Sequence, residues 1–259
     1  MKSVVVVPTY CEAANITTLL DSVLGAVTDL DVLVVDDNSP DGTAARVRSH
    51  PQFDHRVHLL ARPGKAGLGA AYRAGFAWAL DAGYDVVVQM DADLSHPPER
   101  LPALLVALDE ADVAIGSRYV RGGAVRDWPA SRRLISWAGN VYVRLVLGLP
   151  VHDATAGFKA FRSGALRTIG VLDSVSNGYC FQIENTWRAC RAGLVVREVP
   201  ITFSDRGEGE SKMSRAIVAE ALGRVLVWRW RELTGTPVAA SGPSSAGPAG
   251  PTGRHDVAV

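Results

Sequence analysis

Two carboxylates stand at positions i and i+2 in the stretch Met90-Asp91-Ala92-Asp93-Leu94-Ser95-His96. In extended backbone such side chains point the same way. Two acids aimed at one point repel unless a cation or a shared proton lies between them. Hard oxygen donors suit Mg²⁺ or Mn²⁺, with the coordination completed by diphosphate oxygens. Such an ion would neutralise the charge that builds on a departing nucleotide diphosphate. A lone Asp-x-Asp is a weak signal, because two solvated loop acids look the same. Its company strengthens it. Pro8-Thr9-Tyr10-Cys11-Glu12 and Asp36-Asp37-Asn38-Ser39-Pro40-Asp41-Gly42 each follow a short apolar run, as the Asp91 stretch does.

Of Asp36, Asp37 and Asp41, one acid suits a ribose or base edge, as in other doubly wound nucleotide sites. The others suit the turn itself. Gly64-Lys65-Ala66-Gly67-Leu68-Gly69 is neither a dinucleotide fingerprint, whose third glycine would fall where Tyr72 stands, nor a phosphate loop, which needs Gly-Lys-Ser/Thr after four spacers. Its glycines serve either a close approach to a ligand or tight packing of a helix start on a sheet. Arginines gather further on at Arg118, Arg121, Arg126, Arg132, Arg133 and Arg144, with Asp127 alone against them. Arg206 and Lys212 form a second set. Guanidinium groups capture phosphate bidentately. Trp128, Trp137, Trp228 and Trp230 lie among these stretches, and Arg with Trp on amphipathic helices suits a membrane surface. Core packing is the alternative for those helices.

The elements that must position these residues follow from hydrophobic periodicity. Val4–Val7, Val32–Val35, Val57–Leu60, Val86–Val88 and Val113–Gly116 are short continuous apolar runs, as in strands buried on both faces. Helical spacing marks Asn15–Val27, Ala66–Ala82 and Pro97–Leu108 between them, the last opening on prolines suited to a first turn. Repeated β-α-β units predict an α/β fold with a doubly wound, mostly parallel sheet flanked by helices. Ligands bind outside the carboxyl ends of such strands, so the three polar clusters converge on one edge. Further helices are predicted at Arg132–Leu149, Tyr179–Ala192 and Ala216–Leu233, a strand at Leu194–Val199 and a mobile charged loop at Ser204–Ser214. The segment from 234 to 259 is Pro-, Gly- and Ser-rich, as in a disordered tail. One folded unit therefore spans 1–233, with the three strand-end clusters in its first half (1–117) and the arginines and amphipathic helices in its second (118–233).

The 27 basic and 27 acidic residues cancel, so no global field favours nucleic acid. Three scattered cysteines argue against a disulfide framework and fit a reducing compartment. A strand opens the chain where a signal peptide would need a basic and then an apolar region. No run of about 18 apolar residues suggests a span.

Taken together, VVVVPTYCEAANI, VVDDNSPDGT, GLGAAYRAGF, QMDADLSHPPE, GSRY, RRLISWAGN, DATAGFKAFR, GYCFQIE, EVPITFSDR and GESK, in order from Val4 to Lys212, resemble glycosyltransferase family 2, and within it the polyprenol (dolichol) phosphate mannose synthases. The resemblance implies a GT-A fold, a GDP-mannose donor, a polyprenyl phosphate acceptor and Mg²⁺ or Mn²⁺. It implies that Pro8, Tyr10, Glu12, Val35 and Asp37 hold the nucleoside. Asp91, Ala92 and Asp93 hold the diphosphate, with Asp91, Asp93 and Ser95 at the metal. Arg118, Arg132 and Ser136 bind the acceptor phosphate, and Arg206 and Lys212 close over the phosphates. Asp93, Arg118 and Arg132 are the catalytic group. Two positions depart from the family pattern: Cys11 where Asn is usual after Pro-Thr-Tyr, and Ser95 where some relatives carry Gln.

The implied reaction is one inverting displacement at C1 of the sugar by an acceptor phosphate oxygen. A phosphate monoester, with a second pKa of about 6, needs no strong general base. An alcohol acceptor would need one, and Glu184 is the candidate; it is read here as structural or as a partner of arginines. The acceptor lives in a bilayer. Peripheral docking at the cytoplasmic face is therefore expected, through the helices at Arg132–Leu149 and Ala216–Leu233 or through a membrane-embedded partner protein. Rivals are a UDP-glucose enzyme with the same acids, a sugar nucleotidyltransferase, which would need a glycine- and arginine-rich loop where PTYCEAAN stands, and a non-enzymatic binding module.

Overall fold

A computed structural model describes residues 1–176, 178–204 and 215–234, with side chains from 221 onward in the last segment. The predicted charged loop and tail, and with them Arg206 and Lys212, lie outside the described residues.

The first half alternates as its periodicity predicts: β1 (Ser3–Thr9), α1 (Ile16–Ala26), β2 (Leu30–Asp36), α2 (Thr43–Arg48), β3 (Val57–Ala61), α3 (Leu68–Asp81), β4 (Val86–Gln89), α4 (Leu101–Ala107) and β5 (Val113–Ser117). A short 3-10 turn with Pro98 at its start leads into α4. After β5 come β6 (Ala124–Val125), α5 (Ala130–Leu147), β7 (Lys159–Arg162), α6 (Ser163–Thr168), α7 (Gly178–Arg191), β8 (Val196–Pro200), β9 (Thr202–Phe203) and α8 (Arg215–Thr234).

Seven strands form one sheet in the order β3-β2-β1-β4-β7-β5-β8. All neighbours are parallel except β7, which runs antiparallel between β4 and β5. Chain order turns back between β1 and β4, which places a crevice at their carboxyl ends. A two-stranded ribbon of β6 and β9 sits apart.

Side chains alternate across the sheet, so each strand feeds two cores. Val4, Val6, Leu33 and Val35 pack with α3 and α7 residues on one face. Val5, Val7, Val32 and Val34 pack with Ile16, Leu19, Leu101 and Leu104 on the other. Helix α3 lies very close to the sheet. A Cβ on Gly75 would stand 2.4 Å from Val6 Cγ1, so only glycine permits this approach.

Helix α5 differs from an ordinary core helix. Its apolar stripe of Leu134, Trp137 and Leu145 is more than half exposed, while Asn140, Val143 and Leu147 face inward. Helix α8 packs beside it, the Tyr142 hydroxyl donating to the Leu222 carbonyl at 3.1 Å. It too turns Leu226, Trp230 and Leu233 outward while burying Val225 and Trp228. Among the described residues, no helix is long and apolar enough to cross a membrane.

Candidate active site

The carboxyl ends of β1, β2 and β4 converge as the sequence predicts, on a cavity of about 460 Å³. The loop after β1 contributes Pro8, Tyr10 and Glu12, and the end of β2 contributes Asp37. The turn after β4 contributes Asp91, Ala92, Asp93 and Ser95. Across from these acids the wall includes Arg118, just beyond β5, and Arg132 and Ser136 on α5. Gly67, with φ of +92°, starts α3 and lies on the wall as well.

Val35 is a correction. Its side chain is fully buried under α3, where a Cβ on Gly75 would come within 3.0 Å of it, and it does not wall the cavity. The alternation of β2 puts Val35 in the core and leaves the strand end to Asp36 and Asp37.

Those two acids divide as expected. Asp36 accepts from Ser39 N–H at 3.0 Å, from Ser39 Oγ at 2.6 Å and from Thr9 Oγ1 at 2.9 Å, so it organises the turn. Asp41 braces the same region through Thr43 Oγ1 at 2.6 Å and Ala13 N–H at 3.0 Å. Asp37 faces the cavity with Arg62 Nη1 at 2.6 Å from its Oδ1. Cys11 adopts φ of +62°, the left-handed region in which Asn is favoured, and its N–H donates to Ser39 Oγ at 3.0 Å. The position is therefore a backbone requirement. Lys65 stands over the Tyr10 ring, 4.2 Å from its centroid.

The acidic turn is held by its neighbours. Ser95 Oγ donates to Asp93 Oδ1 at 2.5 Å, and Ser95 N–H reaches the same oxygen at 3.2 Å. The serine thus orients the carboxylate. Asp91 N–H donates to His96 Nδ1 at 3.1 Å, and Tyr72 donates its phenol to Asp91 Oδ1 at 2.9 Å. His96 stacks on Phe158, centroids 5.3 Å apart. Burial pushes the His96 imidazole below its ordinary pKa, against the opposing pull of Asp91 and Asp93. Burial pushes the Tyr72 phenol well above its ordinary pKa, and the charge of Asp91 adds to this. Gly157 closes the far side, where a Cβ would lie 3.3 Å from Asp91 Oδ2 and 3.2 Å from His96 Cε1.

The donor set fits a divalent cation. Two hard carboxylates share one wall, and their charges act together on Tyr72 and His96. Among the described residues, no group of three or more His, Cys, Asp or Glu suited to a metal forms. One or two carboxylates completed by substrate phosphates is the usual arrangement for Mg²⁺.

The cationic wall is equally organised. Arg118 forks onto Asp153, Nε to Oδ2 and Nη2 to Oδ1, both at 2.7 Å, and its backbone N–H also meets Oδ2 at 3.0 Å. Burial raises the Asp153 carboxyl, but the guanidinium outweighs it and holds the group below its ordinary value. Burial likewise lowers the Arg118 guanidinium, yet Asp153 wins and the net shift is upward. Arg118 Nη2 also reaches Thr155 Oγ1 at 2.8 Å. Arg132 lies flat on Trp128, 4.0 Å from its centroid. Tyr119 donates to Ser136 Oγ at 2.7 Å.

Tyr72, His96, Asp153, Thr155 and Gly157 were given no role by the sequence reading, although each stands in a stretch that carried the resemblance. His96 stands five residues from Asp91 in the same strand-end stretch, and the others carry no local signal. Glu184 is buried away from the cavity wall, paired with Arg188 at 2.5 Å and bonded by Ser174 Oγ at 2.7 Å. Its role as a partner of arginines agrees with expectation.

Residues 4–170 match the model of glycosyl transferase family 2. The undecaprenyl-phosphate mannosyltransferase of Micrococcus luteus is 49% identical over 237 residues, 90% of this chain and 98% of that one. The polyprenol monophosphomannose synthase of Mycolicibacterium smegmatis is 50% identical over 229 residues, 88% of this chain and 86% of that one. Two solved structures share the fold. Glucosyl-3-phosphoglycerate synthase of Mycobacterium tuberculosis, solved with Mn²⁺ and UDP, has a TM-score of 0.63 at 20% identity, over 91% of this chain and 81% of that one. A mannosyltransferase of Pyrobaculum calidifontis, solved with GDP-mannose and Mn²⁺, has a TM-score of 0.56 at 21% identity, over 92% and 65%.

Proposed function

Because the chain belongs to glycosyltransferase family 2, we propose that it transfers mannose from GDP-mannose to a polyprenyl phosphate, with inversion at C1. The observation that carries this reading is a single cavity holding two carboxylates on one side and two arginines on the other. An oxygen of the acceptor phosphate bonds to C1 as the bond from C1 to the β-phosphate oxygen breaks, and GDP leaves with the electron pair. Asp91 and Asp93 would hold the Mg²⁺ or Mn²⁺, which when bound would offset the negative charge developing on GDP. Pro8, Tyr10, Glu12 and Asp37 hold the nucleoside, and Ala92 lies against the diphosphate. Arg118, Arg132 and Ser136 receive the acceptor phosphate, lowering the repulsion between two anionic substrates. A dianionic phosphate needs no base, and the burial of Glu184 away from the cavity agrees with that. Arg206 and Lys212 keep the phosphate-closing role that the resemblance implies. Residues 1–117 thus serve the donor, and 118–233 the acceptor and the membrane.

The acceptor side also carries the membrane contact. Helix α5 presents Arg132 and Ser136 to the cavity, and Leu134, Trp137 and Leu145 to the outside. Arg133 and Arg144 are exposed on the same helix, and α8 extends the apolar face. Arginines flanking exposed Trp and Leu suit the headgroup region of an anionic bilayer. The protein docks there peripherally, at the cytoplasmic face where nucleotide sugars are available.

Purified protein is incubated with bacterial membranes, radiolabelled GDP-mannose and Mn²⁺, and label is counted in the organic extract. Lipid label that disappears in EDTA is expected. Label from UDP-glucose but not GDP-mannose would move the donor, and no lipid label from either would overturn the reading.

A further inference from the structure

Tyr72 is fully buried, and most of what it does there a phenylalanine would do as well. Its ring stacks on Phe181, centroids 5.9 Å apart and planes 2° from parallel, and leans on Phe76 at 5.7 Å. Both neighbours are phenylalanines inside one apolar cluster. The hydroxyl is what distinguishes this position. A buried hydroxyl is costly unless it is hydrogen-bonded; this one donates to Asp91 Oδ1, and the Gln89 side chain also bonds to the phenol. The residue is the third member of Gly67-x-Gly69-x-x-Tyr72, where a dinucleotide fingerprint would have a glycine. Here the start of α3 sends a phenol beneath the acidic turn.

Asp91 is otherwise anchored through its backbone, by His96. That bond fixes the main chain and leaves the carboxylate able to rotate. Gly157 leaves room on the Oδ2 side, where a Cβ would lie at 3.3 Å, and the phenol holds the Oδ1 side. We propose that Tyr72 is a positioning residue for the donor's divalent cation: its hydroxyl holds the Asp91 carboxylate in the orientation that faces the cavity, and so sets metal affinity. The inference rests on the metal role given to Asp91 above and adds a residue that touches neither metal nor substrate. Partners of metal ligands are typically worth roughly 10- to 100-fold in metal affinity.

The test is Mn²⁺ binding to the full-length protein with saturating GDP, followed by the electron paramagnetic resonance of free Mn²⁺, for wild type, Tyr72→Phe and Phe76→Leu. Tyr72→Phe is expected to raise the Mn²⁺ dissociation constant by about 10- to 100-fold, with the melting temperature nearly unchanged and turnover recovering at high Mn²⁺. Phe76→Leu is expected to lower the melting temperature and leave Mn²⁺ affinity close to wild type. A Tyr72→Phe affinity within twofold of a tight wild-type value would overturn the proposal and leave the metal site standing. Equal weakening in Phe76→Leu would assign the effect to packing and overturn it too. A wild type that binds no Mn²⁺ with GDP would instead remove the metal reading on which the proposal stands.

Discussion

Truncating Arg118 to Met should act first on stability and only then on catalysis. Arg118 is 8% exposed and Asp153 is 0% exposed, and two hydrogen bonds of 2.7 Å join them. Removing one partner of a buried pair leaves the other as an uncompensated charge, at a cost of about 3–5 kcal/mol. For a folded unit of this size that is a melting shift of roughly 6–20 °C. The loss has a pH signature. In the wild type the Asp153 carboxyl lies below its ordinary value, so its contribution is full above the unfolded pKa and is lost as pH falls through the folded one. In Arg118→Met burial acts without the guanidinium, and the folded carboxyl lies above its ordinary value. Stability then falls as pH rises from the unfolded pKa toward the folded one, so the variant loses more at pH 7.5 than at pH 5. Arg118→Met with Asp153→Asn removes both charges and keeps an acceptor for the backbone N–H of residue 118. It should recover most of the loss. In that double variant the acceptor KM should rise while GDP affinity holds. Urea titrations at both pH values, with GDP binding by calorimetry, decide it. A loss below about 1 kcal/mol in Arg118→Met, or a double variant as unstable as the sum of the single changes, would refute the reasoning.

Three further substitutions probe other parts of the molecule. Gly157→Ala puts a methyl 3.3 Å from Asp91 Oδ2 and 3.2 Å from His96 Cε1, so Mn²⁺ affinity should fall about tenfold with the melting temperature shifted by only a few degrees. Lys159 is fully buried, donates to the Gln182 carbonyl at 2.7 Å and Thr186 Oγ1 at 2.8 Å, and is pulled by burial down to about 7. The unfolded chain therefore holds this proton more firmly, wild-type stability gains from Lys159 as pH rises from about 7 toward the ordinary lysine value of about 10.4, and the urea midpoint of wild type relative to that of Lys159→Met should rise over that range. Cys11→Asn keeps the backbone bond to Ser39 and suits φ of +62°; it should stabilise by some part of the roughly 1–2 kcal/mol that the left-handed region costs an ordinary residue, and an unchanged or lower urea midpoint would count against backbone strain at this turn.

The parallel part of the sheet was legible because strands buried on both faces leave continuous valine runs, and β1 to β5 fall where those runs lie. Strand β7 was not. Lys-Ala-Phe-Arg carries two cations in four residues, and nothing local says that Lys159 is buried. Its position between β4 and β5 is fixed by pairing, which sequence pattern does not reveal. Helices α2 and α6, six residues each, are too short for periodicity to speak. At the site the residues that line the cavity were readable from their place at strand ends, and Asp36 organises the turn while Asp37 faces the cavity. Tyr72 and Asp153 were not readable, because they act on residues 19 and 35 positions away, and Gly157 was not because it acts through the absence of a side chain; His96 lay in the Asp91 stretch, but its bond to the Asp91 backbone depends on how the turn folds. Val35 went the other way: the resemblance implied a nucleoside contact, and strand alternation turns its side chain into the core, off the cavity wall.

Helix α5 shows why amphipathicity alone misleads. Its stripe of Leu134, Trp137 and Leu145 has the spacing of a core-facing helix, yet Asn140 faces inward, its amide bonded to the Ser136 carbonyl at 3.1 Å and Thr155 Oγ1 at 3.0 Å. Further along, Val143 and Leu147 join the core, but at Asn140 the inward face is polar and supports the cationic wall: Asn140 braces Thr155, which braces Arg118, and Tyr119 braces Ser136. Apolar side chains are thereby displaced to the outside, where burial requires another phase. In the proposed reaction the acceptor phosphate meets Arg132 while its hydrocarbon stays in lipid, and a helix with Arg132 and Ser136 toward the cavity and Leu134, Trp137 and Leu145 outside would serve both ends of such an acceptor.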